Sequence, residues 1–87
     1  MESQIAQTLR TFITDNYLFG DRARLPADDA SLLETGVIDS TGVLELIEFL
    51  ESEYGFTVED TETLPENLGS VAGLTRYISA KQRQGAA

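Results

Sequence analysis

The sequence predicts an all-α fold: a small four-helix bundle of three longer helices and one short one, with a long loop between the first and second. Three observations carry that expectation. Apolar residues recur three and four positions apart in three separate segments, no segment reads as a strand, and Gly, Pro and Asp gather between the segments. At 87 residues the chain is one domain, near the size at which a single core barely sustains a fold. Its apolar fraction of 41% is ordinary for a globular protein, so composition does not point to disorder.

The first helix is expected over roughly Glu2 to Asn16, with Ser3 as a possible cap. Ile5, Leu9, Phe12 and Ile13 form its apolar stripe and Tyr17 continues it. The stretch "FGDRARLPADDASLLETG" then reads as a long ordered loop with a helical turn at Ala30 to Leu33. A connection of that length in a compact domain usually serves function or topology. The second helix should begin at Asp39 or Ser40, both good N-cap types. At 100° per residue, Val43, Leu46, Ile47, Leu50 and Tyr54 share one stripe. Thr41, Leu44, Glu45, Glu48 and Ser52 take the opposite side, with Phe49 and Glu51 at the margins, and Gly55 supplies a left-handed stop. In the next connection Phe56 and Val58 are expected to turn inward, and Thr61 to Glu66 to form the short helix, limited by Pro65. Ser70 caps the last helix, whose stripe is Val71, Leu74, Tyr77 and Ile78. The domain is expected to span residues 1–80, and residues 81–87 to fray. The expected core is Ile5, Leu9, Phe12, Ile13, Leu33, Val43, Leu46, Ile47, Leu50, Val71, Leu74 and Ile78.

The formal net charge is -9, and all six basic residues lie near the ends. Between Leu25 and Thr75 there is no lysine or arginine, while 12 of the 15 acidic residues fall there. Such a surface repels phosphate backbones and anionic lipid, and it attracts a basic protein patch. Nucleic acid and membrane are therefore not expected as partners, although acidity alone more often means only solubility. No segment is long and apolar enough to cross a bilayer, and "MESQIAQTLRTF" has no signal-peptide apolar region, so a cytoplasmic protein is expected. Self-repulsion among the central carboxylates should make stability salt-dependent. Raising ionic strength to about 0.1 M, where screening acts beyond about 10 Å, is expected to raise the melting temperature; a flat response in thermal melts would mean the charges are already well separated.

The chain has no cysteine, histidine or tryptophan, which removes disulfides, thiolate chemistry and the common zinc sites. It also leaves Ser40 with no imidazole to take its proton, so catalysis by a serine nucleophile fails. The acidic run "EDTETLPENLGS" does not fit a calcium loop: counted from Asp60, Pro65 stands where glycine is required and Val71 where the bidentate glutamate belongs. No metal site is expected. Glu45 and Glu48 could in principle act as an acid/base pair, but at spacing three on a polar helix side they are more often a solvated face. The chain is therefore not expected to be an enzyme. A different chemistry remains open for Ser40, which is modification. A phosphate ester at a helix start would meet free backbone N–H groups and the positive end of the helix dipole, and a prosthetic group could supply the thiol the sequence lacks.

Taken alone, an Asp-Ser pair before a helix is usually only a cap. The wider pattern says more. "LLETGVIDS" followed by the spacing of Glu45-Leu46 and Leu50-Glu51, with an inward Tyr54 and the late Val71 and Tyr77-Ile78, resembles the acyl carrier protein family and its peptidyl carrier relatives. The resemblance runs from about Ile5 to Ile78 and includes Leu33 and Gly36. It implies a four-helix bundle without activity of its own. It implies that Ser40 is the attachment point of 4′-phosphopantetheine, added from coenzyme A by a phosphopantetheinyl transferase in a magnesium-dependent reaction. The arm's thiol would carry acyl or aminoacyl groups as thioesters and present them to condensing or acyl-transfer enzymes with basic patches, after charging by a loading ligase or transferase. Asp39 matches the residue before that serine, implied to assist recognition or metal placement during loading. Thr41, Leu44, Glu45 and Glu48 lie on the implied partner face, Glu45 at a frequently acidic position.

The sequence departs from the family at Thr41 and Gly42, where leucine and often an acidic residue follow the serine. Thr41 weakens a hydrophobic partner contact, which Leu44 or Phe49 could restore toward a different partner. A dedicated carrier with its own acyl or amino-acid ligase therefore fits at least as well as the carrier of fatty-acid synthesis. A freestanding monomer is expected, since Met1 opens directly into the first helix and the tail ends soon after the last. Looseness between helices would let a bound acyl chain slip inside. The competing class is an unmodified acidic adapter that binds a basic partner.

Overall fold

The computed structural model describes residues 2–85, the side chains of 2, 3, 65, 66, 84 and 85 excepted. Three long helices, α1 (Glu2–Tyr17), α2 (Ser40–Tyr54) and α4 (Val71–Gly85), are joined by loops. The loops contain two 3₁₀ turns, Arg22–Arg24 and Asp60–Glu62, and a four-residue helical segment, α3 (Pro65–Leu68). There is no strand among the described residues. No helix among them is long and apolar enough to cross a membrane.

The apolar stripes meet as their spacing requires. Leu9, Ile13, Leu46, Leu50, Leu74 and Ile78 are all fully buried, and α1 lies along α4. Phe12, Val43 and Ile47 sit at the edge of this core, half-buried against it, as do Phe56 and Val58. Burying one such aliphatic side chain contributes roughly 1.5–3 kcal/mol before entropy is charged. Thr41, Leu44, Glu45, Glu48 and Ser52 are all exposed, on the outward side assigned to them.

Several expectations are corrected. Leu33 is not core: it is 47% exposed, and Leu32 takes the buried place at 1%. The cause is the backbone of the long loop. Leu32 donates its N–H to Gly69 and accepts from Ile38, so the turn aims Leu32 inward and leaves Leu33 at the surface. The helical turn itself runs from Ser31 to Thr35, where the Thr35 N–H reaches the Ser31 carbonyl, rather than from Ala30 to Leu33. The expected helix at Thr61 to Glu66 is divided. Asp60–Glu62 closes a 3₁₀ turn, and Pro65 opens α3 instead of limiting it, because a first helical residue needs no N–H. Ser3 lies inside α1 and does not precede it. The last helix does not end near residue 80 but continues to Gly85; Ala86 and Ala87 lie outside the described residues.

That extension has a partner. The Lys81 ammonium sits 2.9 Å from Glu62 Oε1, which also accepts from the Tyr77 hydroxyl at 3.0 Å and from the Glu59 N–H at 3.0 Å. One carboxylate oxygen thus ties the 3₁₀ turn to α4, and these partners hold the Glu62 carboxyl below its ordinary range, the Lys81 bond contributing most. A second ion pair, the forked contact of Arg10 on Asp28, fastens the long loop to α1. The Asp28 carbonyl also accepts from Ala72 at 2.8 Å, fixing the loop to the first turn of α4. Among the described residues two of the central carboxylates, Asp28 and Glu62, are therefore paired with a cation, which moderates the self-repulsion expected from the sequence.

At the end of α1 the Leu18 and Gly20 N–H groups both donate to the Thr14 carbonyl, and Phe19 between them has φ +54°. A side chain in that left-handed region costs about 1–2 kcal/mol, which glycine avoids. Its ring is 94% exposed, so almost no packing offsets the strain. Phe19→Gly is expected to stabilise the protein by about 0.5–1 kcal/mol after the greater chain entropy of glycine is counted. In thermal melts this corresponds to a rise of roughly 3–6 °C. A fall instead would mean that the ring packs.

Candidate functional site

The site is built at the junction of the long loop and α2. Ile38, 2% exposed, anchors the end of the loop in the core, with its N–H on the Leu32 carbonyl. The next residue is then held extended: Asp39, at φ −98° and ψ −176°, is the N-cap, and its Oδ1 accepts the Gly42 N–H at 2.8 Å. Ser40 is the first residue of α2 and is exposed. Sequence reasoning allowed either Asp39 or Ser40 as the start, and the division is now plain: Asp39 caps, Ser40 begins.

Close approach beneath this turn depends on Gly42. A Cβ there would meet Ile38 Cγ2 at 2.7 Å, with Tyr17 Cε1 and Asp39 Oδ1 each at 3.4 Å. The helix start thus rests directly on the Ile38 side chain and the Tyr17 ring. The Tyr17 hydroxyl lies 3.3 Å from the Gly42 carbonyl and 3.2 Å from Glu45 Oε1, both of which accept from it. Glu45 is therefore held against the end of α1, while Glu48 extends the same exposed acidic side. Burial, then the charge and hydrogen bond of Glu45, then the charge of Asp39, push the Tyr17 phenol from 10.0 up to about 12.

The sign of that shift gives a pH prediction. The unfolded chain ionises its tyrosines near pH 10, whereas the folded chain keeps Tyr17 protonated. This contribution to stability is complete below pH 10 and is lost as pH rises toward about 12. Denaturant melts across that window should show a shallower loss for Tyr17→Phe than for the parent. The loss will not vanish, because Tyr77 is also pushed up, first by burial and then by Glu62. Identical slopes for parent and variant would remove Tyr17 from the account.

On the other side of Ser40 lies a cleft of about 250 Å³ lined by Leu33, Ser40, Val43, Thr63, Leu64, Leu68 and Gly69. Leu33 and Leu64, two of the exposed large apolar residues, form its rim at 47% and 41% exposure. A broader depression of about 560 Å³ lies between α1 and α2, but its lining is mostly polar and it contains none of the predicted site residues. The smaller cleft is the one that matters for Ser40. Leu44 remains at the surface, 63% exposed, and Thr41 beside it is exposed too. Phe49 is half-buried: its ring stacks on Phe12 at 4.0 Å, and both rings line the depression between α1 and α2.

The predicted residues Asp39, Ser40, Thr41, Leu44, Glu45 and Glu48 are thus brought together on α2 and its cap. Sequence reasoning missed Tyr17, Gly42, Thr63 and Leu64. Of these only Gly42 carried a signal, since a glycine in the first turn of a helix marks a close approach or a weakened helix. Chemically, the arrangement offers an accessible hydroxyl with acidic side chains on one side and apolar side chains on the other. Its residues fit a phosphodiester on Ser40. The hydroxyl is exposed, the first-turn amides ahead of Gly42 have no intrahelical partner, and the adjoining cleft suits the apolar part of a pantetheine arm. No group of three or more His, Cys, Asp or Glu that could hold a metal ion occurs among the described residues. No family model matches the chain, and a search of characterised proteins gives no match.

Proposed function

We propose that this chain is a carrier protein of the cytoplasm, without catalytic activity, that bears 4′-phosphopantetheine on Ser40. The observation that carries the reading is the exposure of Ser40 at the first position of α2, beside the Asp39 cap, between an acidic face and an apolar cleft. Three long helices with α3 between the last two also fit the four-helix bundle of acyl carrier proteins, the family the sequence resembles. When bound, the arm supplies the thiol that this chain lacks and holds an acyl or aminoacyl group as a thioester.

Each neighbouring residue then has a role. Asp39 fixes the helix start through Gly42 and leaves its second oxygen for the loading enzyme. Leu33, Val43, Leu64 and Leu68 give apolar cover next to Ser40. Thr41, Leu44, Glu45 and Glu48 face the basic surfaces of the transferase, the loading ligase and the acyl-transfer enzymes. The cargo belongs to fatty-acid, polyketide or specialised biosynthesis. Thr41 in place of the usual leucine favours a dedicated carrier, including one for aminoacyl groups charged by its own adenylating ligase.

Co-expression with a broad-range phosphopantetheinyl transferase, followed by intact-mass measurement, tests the proposal. The parent is expected to gain one arm and Ser40→Ala none. An unmodified acidic adapter would gain nothing in either form.

A further inference from the structure

The two walls of the cleft beside Ser40 are built differently. One wall is Leu33, Ser40 and Val43, carried by α2 and by the loop that Leu32 and Ile38 anchor in the core. The other wall includes Thr63 and Leu64, from the connection between α2 and α3. No side chain from Gly55 to Leu64 is fully buried, and Thr63 and Leu64 are exposed. A segment without core side chains stays in place through its hydrogen bonds, and such segments open at the lowest cost in a fold.

Those bonds are unevenly spread. The first half of the connection is held by the Val58 N–H on Glu51 Oε2 at 2.8 Å, and by Phe56, whose ring meets Tyr77 edge-on. From Glu59 to Leu64 the backbone bonds are all local, among residues 59 to 68. Among the described residues, the hydrogen bonds from Glu59–Leu64 to a long helix end on one atom, Glu62 Oε1, which accepts from Tyr77 and pairs with Lys81. The Asn67 side chain then bonds the Glu62 carbonyl at 2.9 Å, so the same residue also steadies the start of α3. The Lys81 and Glu62 side chains are only 15% and 26% exposed, and the Lys81 ammonium lies 5.8 Å from the Phe56 ring centre. Glu62, Tyr77 and Lys81 do not themselves line the cleft.

We propose that Glu59 to Leu64 is a flap over the cleft beside Ser40, latched shut by Glu62 on Lys81 and Tyr77 of α4. Release of the latch lets Leu64 leave the rim and widens the cleft, while α1, α2 and α4 stay packed. The far end of α4 thereby sets how readily an apolar group enters beside Ser40. The flap does not require an arm on Ser40.

Because the chain has no cysteine, the rim can be labelled at two chosen points, Leu33→Cys and Leu64→Cys, with nitroxide spin labels. Both leucines are partly exposed, so their replacement uncovers little core. Dipolar broadening of the spectrum reads their separation in the labelled parent and in three further backgrounds. Lys81→Met keeps the aliphatic stem and removes the charge, Glu62→Gln keeps an acceptor for Tyr77, and Arg10→Met breaks the other ion pair as a control. The labelled parent and the control are expected to show broadening that Lys81→Met and Glu62→Gln largely lose. Amide exchange on the unlabelled proteins gives a second reading. Thr63 and Leu64 should exchange about tenfold faster in Lys81→Met than in the parent, with Leu9, Leu46 and Leu74 unchanged. Broadening retained in both latch variants would overturn the proposal, as would its absence from the labelled parent. Broadening lost equally in Arg10→Met, or core amides that quicken with Thr63 and Leu64, would show general loosening in place of a flap and overturn it too. None of these outcomes touches the carrier reading, which stands or falls on the mass of the transferase-treated protein.

Discussion

Gly42→Val is expected to destabilise the protein by about 2–3 kcal/mol. Even the first added carbon would stand 2.7 Å from Ile38 Cγ2, well inside normal contact. Ile38 cannot swing clear, because it is β-branched, 2% exposed and held through its N–H to Leu32. Relief must come from moving the turn that carries Asp39, or from moving the Tyr17 ring. Overpacking of this kind costs about 1–3 kcal/mol, and the valine branch adds to it. For a domain of this size the loss corresponds to a fall of roughly 10–20 °C in melting temperature, read by circular dichroism. Gly42→Ala should cost less, since alanine recovers about 1 kcal/mol of helix propensity. Because the displaced turn holds the start of α2, both variants should also accept an arm more slowly. A Gly42→Val protein as stable as the parent would mean that the helix start does not rest on Ile38.

Reversing charge at Glu45 and Glu48 to lysine is expected to slow loading tenfold or more at low salt and to leave the fold standing. Both carboxylates are exposed, so their removal uncovers no core. Steering by an exposed charge acts on association, with effects of about 10–10³ that fade as salt rises. One structural consequence is local: Glu45→Lys takes away an acceptor of the Tyr17 hydroxyl, a loss of at most about 1 kcal/mol because the Gly42 carbonyl remains. Glu45→Gln keeps an acceptor and removes only the charge, so it should load slowly and melt like the parent. Stopped-time mass measurements at two salt concentrations give the rates. Equal rates in the reversed and parent proteins would take the recognition role from this face.

Much of the fold was legible in the sequence because the helices announce themselves twice. Their apolar residues repeat at helical spacing, and their ends carry capping residues, Asp39 and Ser70 at the starts and Gly55 at φ +72° at a stop. What the sequence hid lies where backbone hydrogen bonds decide. In "SLLETG" either leucine could be the buried one, and only the bonds of Leu32 to Gly69 and Ile38 choose between them. Continuation of α4 past residue 80 depends on Lys81 meeting Glu62, a contact across nineteen positions that no local pattern contains.

The candidate site divides in the same way. Asp39, Ser40 and the outward acidic residues of α2 follow from capping and periodicity. Gly42 was visible only as a departure, Thr41-Gly42, and its cause, the side chains of Ile38 and Tyr17 underneath, belongs to tertiary structure. The cleft beside Ser40 joins α2 to residues 63–69, so its rim leucines Leu33 and Leu64 gain meaning only once the chain is folded. Phe19 gave no sign at all, since nothing in its neighbours announces a left-handed backbone at a phenylalanine.

Fragmentation of the transferase-treated protein, with the added group located on a single peptide, tests the central claim most directly. The carrier account predicts one 4′-phosphopantetheine on the peptide that holds Asp39-Ser40-Thr41, with the ester on Ser40. An arm on Thr41, Ser31 or Ser70, or a chain that stays unmodified under conditions that load a known carrier completely, would contradict it.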